Sequence, residues 1–392
     1  MPSVKLSDMN FLNQALEAAL TKRQETGLFR KIPEPLETGY IDLASNDYLN
    51  LSKHPFLKQS SIEWTQKLGV GATGSRLISG SFLGYSEVEK AFAAFKKTES
   101  ALLFNSGWQA NASILPALNE LSRQIFSAPA LFFMDKLCHA SMIQGANASQ
   151  AGHAKAKILR FRHNDTDHLQ SLLEREKETK GLKFILTESI FSMDGDRANL
   201  KALFELKTHY QAILYIDEAH ATGLFGANGA GLANPEEVEL ILSTGSKAMG
   251  SAGAFLCSSQ KMRKFLINMA SGFIYSTSLP PAILGSLQAA TALLPNLAKE
   301  RKHLLFLAQK FRNQLAEKGW NYLTSESQII PVLIKDPEKA LRLRDKLNKA
   351  GFRCGAIRPP TVPPHTARLR FTMNTALEEQ DIENVIKVLG TP

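Results

Sequence analysis

The middle of the chain alternates short apolar runs with amphipathic stretches, and this alternation limits the possible folds more than any other feature. The runs 101–104 (ALLF), 130–135 (ALFFMD), 183–189 (KFILTES), 212–217 (AILYID), 240–244 (LILST) and 253–257 (GAFLC) read as strands buried on both faces. Between several of them lie helical patterns, HLQSLLEREKET at 168–179 and LKALFELKTHY at 200–210. Strand and helix in turn at this spacing predict an α/β fold with a mostly parallel sheet and helices on both sides. After about residue 290 the texture changes. A long helical pattern at 297–319 leads into a β-α-β-β-α string: SQIIPVLI, PEKALRLRDKLNKAG, FRCGAI, ARLRFTM and LEEQDIENVIKVL. The expected organisation is an N-terminal helical segment (1–45), a large α/β domain (46–290) and a small C-terminal α+β domain (291–392).

Composition excludes several classes. The 392 residues are 44% hydrophobic and 21% charged, which suits a large buried core and neither disorder nor a fibrous repeat. No apolar run reaches the ~18 residues needed to cross a bilayer, and the opening residues lack the apolar centre of a signal peptide. The three cysteines (Cys138, Cys257, Cys354) are isolated, and neither C-x-x-C nor H-E-x-x-H occurs. A cytoplasmic setting without disulfides or a metal site is therefore expected. The net charge is +9, and residues 299–392 alone carry 17 basic and 10 acidic side chains. Such a region either attracts an anion or reflects solvated helix faces. No recognition motif or basic–aromatic interleaving points to nucleic acid.

The segment richest in chemistry begins at Ile216-Asp217-Glu218-Ala219-His220, where a strand ends in an acid and a glycine-rich loop carrying a histidine follows. Ligands of open α/β sheets sit at these carboxyl ends. Thirty positions on, Lys247 lies among small residues in Ser243-Thr244-Gly245-Ser246-Lys247-Ala248-Met249-Gly250. Small neighbours let a planar group approach the amine, and desolvation there would favour its neutral, nucleophilic form.

Together these pieces resemble the fold-type I pyridoxal 5′-phosphate enzymes, and more narrowly the α-oxoamine synthase family. The resemblance runs along nearly the whole chain: Ser45-Asn46-Asp47-Tyr48-Leu49, Gly74-Ser75-Arg76 with Ser79-Gly80, Ser106-Gly107-Trp108-Gln109-Ala110-Asn111, DKLCHAS at 135–141, ESIFSMDGD at 188–196 and YSTSLPP at 275–281. The run IRPPTVP at 357–363, followed by Ala367-Arg368-Leu369-Arg370, is similar to the biotin-pathway branch of that family.

The resemblance implies a large domain with a mostly parallel, seven-stranded sheet and a small α+β domain. It implies a Schiff base at Lys247, Asp217 facing the pyridine nitrogen, His220 and Ser192 on the phenolic edge, and His139 stacked on the ring. Gly107 and Trp108, at a helix start, and Thr244 would serve the phosphate. Ser276 and Thr277 resemble a pair that reaches the phosphate from the neighbouring subunit, so a homodimer with shared sites is implied. Arg370 matches the residue that pairs with the amino-acid carboxylate, and its spacing from Arg368 puts both on one face of a strand. Arg358 and Thr361 match acyl-substrate positions, as does Arg30 by order and spacing, with Arg23 as the alternative. The implied substrates are L-alanine and a pimeloyl thioester borne on CoA or an acyl carrier protein. Other readings are a glycine-using member of the same family and a catalytically silent partner subunit. The presence together of Lys247, Asp217 and His220 argues against the silent subunit. Against the family pattern, Gly245 replaces an aromatic or aliphatic residue, Trp108 a Phe or Tyr, Tyr85 a His, Val88 a Leu and Asn50 a Gly.

Overall fold

The computed structural model describes residues 6–32, 39–151 and 155–392. Its strands in chain order are β1 (Ile41–Asp42), β2 (Ser100–Phe104), β3 (Leu131–Asp135), β4 (Lys157–Phe161), β5 (Lys183–Glu188), β6 (Ile213–Asp217), β7 (Leu240–Thr244), β8 (Ala254–Ser258), β9 (Ile329–Lys335), β10 (Phe352–Arg353), β11 (Gly355–Ile357) and β12 (Ala367–Thr372).

Seven strands form the central sheet in the order β2-β8-β7-β6-β5-β3-β4. The pairs β4/β3, β3/β5, β5/β6 and β6/β7 are parallel, while β8 runs antiparallel to both β7 and β2. Alternate residues of each strand enter separate cores. Leu103, Phe133, Ile185, Ile216 and Phe255 join one, and Leu102, Phe132, Leu186, Tyr215 and Leu256 the other. A two-residue period that is apolar on both faces is what a helix-covered parallel sheet requires. Six of the seven strands match the apolar runs. The seventh, β4, carries exposed Lys157 and Arg160 because it is an edge strand with one open side. Its polar texture hides it from an apolar-run reading.

The chain passes from β3 outward to β4 and then crosses back to β5 on the other side of β3. This reversal opens a crevice at the carboxyl ends of β3 and β5, where doubly wound sheets hold ligands.

Beyond the helix Pro281–Leu293, a long helix (Ala298–Glu317) leads to the antiparallel sheet β11-β12-β9, covered by the helix Pro337–Lys349, and the helix Glu379–Leu389 packs against this helix and the long one. The FRCGAI run is not one strand but two. It divides at Cys354, with β10 parallel to β1 and β11 antiparallel to β12. The entry segment thus joins the C-terminal sheet: Leu43 N–H donates to the Arg353 carbonyl, and Thr372 N–H to that of Leu43. This fixes Asn46 and Tyr48 between the two parts of the molecule. The first helix, Leu6–Glu25, leaves its apolar stripe of Leu12, Leu16 and Leu20 exposed. No helix among the described residues is long and apolar enough to cross a membrane.

Candidate active site

Asp217 ends β6, level with Glu188 at the end of β5. Its Oδ1 accepts from Ala219 N–H at 2.9 Å, and its Oδ2 from Asn111 Nδ2 at 3.0 Å. The Asn111 amide can face only one way, because its Oδ1 accepts from Tyr215 Oη at 2.5 Å. The same Nδ2 also donates to Ser141 Oγ (2.9 Å), which lies 2.7 Å from His139 Nδ1. A single buried network therefore orients the Asp217 carboxylate and the His139 ring. His139 is also the N-cap of the helix Ala140–Ala148, and the Trp108 ring stands edge-on to it, centroids 6.1 Å apart. Burial lowers the His139 pKa; the Asp217 carboxylate opposes this and Lys247 reinforces it.

Lys247 lies in the turn between β7 and β8. Gly250 N–H donates to its carbonyl (2.8 Å), and Gly245 N–H bonds the Gly253 carbonyl (2.8 Å). Gly245 has a steric reason to depart from the family pattern, since a Cβ there would lie 2.3 Å from the Ala252 carbonyl oxygen. Among the described residues, Lys247 Nζ has no hydrogen-bond or ion-pair partner. Desolvation lowers its ammonium pKa against the opposing pull of Asp217 and Glu188. The buried Glu188 carboxyl is pushed well up, first by desolvation and then by Asp217.

His220 is buried, with Nδ1 2.5 Å from Tyr48 Oη, and its carbonyl accepts from Gln328 Nε2 at 2.9 Å. Desolvation, then Lys247, Arg370 and His139, hold its pKa well below the usual histidine range. The glycine-rich loop after it is anchored by a buried ion pair, Lys96 Nζ to Glu218 Oε2 at 2.5 Å. The other Glu218 oxygen accepts from Leu232 and Ala233 N–H at 2.6 and 2.8 Å.

The helix Gly107–Phe126 starts against the end of β7, so close that a Cβ on Gly107 would lie 2.9 Å from Thr244 Cγ2. The Ser106 hydroxyl caps Gln109 N–H (3.1 Å), and the Gly107 and Trp108 N–H groups have no acceptor among the described residues. Thr244 Oγ1 is buried without a hydrogen-bond partner. Unused amides at the positive end of a 20-residue helix, beside an unsatisfied hydroxyl, suit a phosphate. Ser276 and Thr277 lie nearby in the same chain, with Asn105 Nδ2 donating to the Thr277 carbonyl at 2.6 Å. Together with the free Lys247 amine and the held Asp217 carboxylate, this set fits pyridoxal 5′-phosphate.

On the C-terminal side, Arg368 and Arg370 both reach the 192–194 loop, as expected for one strand face. They differ in charge balance. Arg368 is ion-paired with Asp194. Arg370 donates to the Ser192 carbonyl (2.7 Å), Thr372 Oγ1 (3.0 Å) and Asn46 Oδ1 (3.2 Å), with no carboxylate partner among the described residues. Ser192 itself is buried beside it. A second anion-ready place lies at the 357–361 loop. Arg30 donates to Thr361 Oγ1 at 2.9 Å across 331 residues, and Arg358 donates to the Gly27 carbonyl. These three residues, with Leu28 and Ala356 to Pro359, line a cavity of about 140 Å³ with no acid among its described lining residues. Burial, then Arg344 and Arg30, lower the Arg358 pKa. Arg23, the alternative to Arg30, is exposed on the first helix and does not line this cavity.

Motif reading alone gives no role to Asn111, Ser141, Tyr215, Tyr48 or Glu188. Two of them carry a positional signal. Asn111 is one helical turn past Gly107, and Tyr215 is two residues before Asp217, on the same strand face.

The model of the aminotransferase class I and II family matches residues 38–389. An 8-amino-7-oxononanoate synthase of Gluconacetobacter diazotrophicus is 45% identical over 350 residues, 89% of this chain and 87% of that protein. The solved 8-amino-7-oxononanoate synthase of Francisella tularensis superposes with a TM-score of 0.75 at 28% identity, covering 90% of this chain and 97% of that one. A serine palmitoyltransferase of S. paucimobilis solved with bound PLP and myriocin gives a TM-score of 0.85 at 26% identity, with 96% of each chain covered.

Proposed function

This chain belongs to the aminotransferase class I and II family and is a pyridoxal 5′-phosphate-dependent α-oxoamine synthase; we propose that it condenses L-alanine with a pimeloyl thioester to give 8-amino-7-oxononanoate, CO2 and the free thiol. The observation that carries the acyl half is the convergence of Arg30, Arg358 and Thr361 on one small cavity without an acid among its described lining. A pimeloyl chain ends in a carboxyl group, or its ester on a carrier protein, which these donors recognise. An acetyl group has no terminal carboxyl to offer them and forgoes these charge-assisted hydrogen bonds, a difference of ~1–3 kcal/mol.

When bound, pyridoxal 5′-phosphate supplies an electron sink for the charge that builds at the amino acid's α-carbon. Lys247 Nζ would hold the cofactor, and its free amine would take the proton from the amino acid's Cα and return one after CO2 leaves. Desolvation lowers the pKa of this amine and so favours the neutral form that acts as a base. Asp217, oriented by Asn111 and Tyr215, keeps the ring nitrogen protonated. His139 would cover the ring, and neutral His220 would donate to the phenolic oxygen with Ser192 beside it. Gly107, Trp108 and Thr244 would bind the phosphate, and Ser276 and Thr277 would reach it from the second subunit of a homodimer. Exposed Trp108 and Tyr275 at this edge, and the bare stripe of the first helix, are surfaces that a second copy would cover. Arg370 binds the amino-acid carboxylate. The setting is cytoplasmic, and the acyl carrier is CoA or an acyl carrier protein.

Steady-state kcat/KM for alanine and glycine, each with pimeloyl and acetyl thioesters, tests this reading. The alanine–pimeloyl pair is expected to lead, the acyl preference being roughly 5- to 150-fold. A preference for glycine with acetyl-CoA overturns it.

A further inference from the structure

We propose that Tyr48 is a positioning residue that fixes the tautomer of His220, so that His220 presents an N–H donor at Nε2 toward the cofactor. The cofactor half of this statement rests on the function proposed above; the tautomer half rests on the chain alone.

The argument follows single protons. The Tyr48 side chain is fully buried, with Oη 2.5 Å from His220 Nδ1 and 3.2 Å from Asn46 Oδ1. The Arg370 guanidinium also faces this hydroxyl. A guanidinium has donors only, so toward Arg370 the tyrosine oxygen accepts. The Gln328 side chain also faces the hydroxyl, but its Oε1 accepts no hydrogen bond among the described residues, so the one proton of Tyr48 goes either to Asn46 Oδ1 or to His220 Nδ1. Asn46 Oδ1 is the more distant and already accepts from Arg370 at 3.2 Å. The proton therefore lies on the short contact, and Nδ1 accepts it.

His220 is neutral in these surroundings. It is buried, and the charged or titratable groups facing it are Lys247, Arg370 and His139, each disfavouring a further positive charge. A neutral imidazole that accepts at Nδ1 carries its own hydrogen at Nε2. The Gln328 hydrogen bond to the His220 carbonyl holds the backbone, so the ring has little freedom to exchange its two nitrogens. Tyr48 also sits between the two halves of the site, since the hydroxyl that orients His220 shares Asn46 Oδ1 with the Arg370 guanidinium. Its place there follows from the β1–β10 pairing, which carries the entry segment to the C-terminal sheet.

The test uses the full-length holoenzyme labelled with [15N]histidine, with His220 assigned by comparison with His220→Asn. In the wild type, His220 is expected to show a protonated Nε2 and an unprotonated Nδ1. In Tyr48→Phe, which keeps the ring and removes the hydroxyl, that preference should be lost. Losing the fixed donor should also raise the absorbance-titration midpoint of the lysine-linked cofactor by about half a pH unit. It should lower kcat by about tenfold, with KM for alanine changing by less than about threefold. A wild-type His220 protonated at Nδ1 overturns the proposal even if the phenylalanine variant does not fold. A folded Tyr48→Phe enzyme with wild-type tautomer, titration and kcat overturns it as well. If the wild type forms no lysine-linked chromophore, the proposed function fails, and the histidine spectrum still decides the role of Tyr48.

Discussion

His163 offers a prediction whose size can be worked from the structure. Its Nδ1 lies 3.0 Å from Asp135 Oδ1 and its Nε2 2.8 Å from Asp196 Oδ2, so one ring bridges the end of β3 and the loop after β5. Asn164 donates to both carboxylates as well. Burial alone would lower the imidazole pKa, but hydrogen bonds and charge from the two carboxylates outweigh it and raise the pKa to about 10. The folded state thus holds this proton more tightly than the unfolded chain does. A rise from 6.5 to about 10 amounts to about 5 kcal/mol at 1.36 kcal/mol per unit. The side chain is 23% exposed, so solvent screens part of that field and about 2 kcal/mol is the better figure. The sign follows from the raised value. The stabilisation is complete below pH ~6.5, declines above it, and is gone by about pH 10 at the latest, earlier in proportion to the screening. His163→Gln should therefore lower Tm by about 2–3 °C near pH 6 in a chain of this length, and the difference should close by pH 10.5. Differential scanning calorimetry of both proteins across that range is the assay. A wild-type-to-variant gap that stays constant or widens as the pH rises would refute the bridging imidazolium.

Two further outcomes concern the site. Asp217→Asn keeps the shape and, with its one carbonyl oxygen toward Asn111, loses the charge and the Ala219 N–H contact, and turnover should fall at least ~10²-fold; near-normal steady-state turnover would contradict the role. Arg370→Lys keeps the charge but loses the planar fork, and KM for the amino acid should rise about tenfold or more while KM for the thioester stays within about twofold. Equal rises in both would place Arg370 elsewhere in the mechanism.

The sequence displays the central strands because each is apolar on both faces, as β3 with Phe132 and Phe133 pointing into different cores. It conceals β4 because an edge strand keeps Lys157 and Arg160 in water. The break at Cys354 is equally hidden, since it depends on which strands accept Phe352 and Ala356 as partners. Lys247, Asp217 and His220 can be picked out because their chemistry is tied to local spacing. Arg30 and Thr361 cannot be joined by any local rule, being 331 residues apart, and family resemblance alone aligns them. The orienting network is concealed for the same reason. Tyr215 finds Asn111 at a separation of 104, and Tyr48 finds His220 at 172. Such partners emerge only when the crevice closes around them.

The central claim is that Lys247 carries the cofactor. Borohydride reduction of the holoenzyme, followed by proteolysis and mapping of the phosphopyridoxyl peptide, tests it most directly. The account predicts the label on Lys247, within the Thr244–Gly250 turn, and no label in Lys247→Ala. A label on any other lysine in the wild-type protein contradicts it.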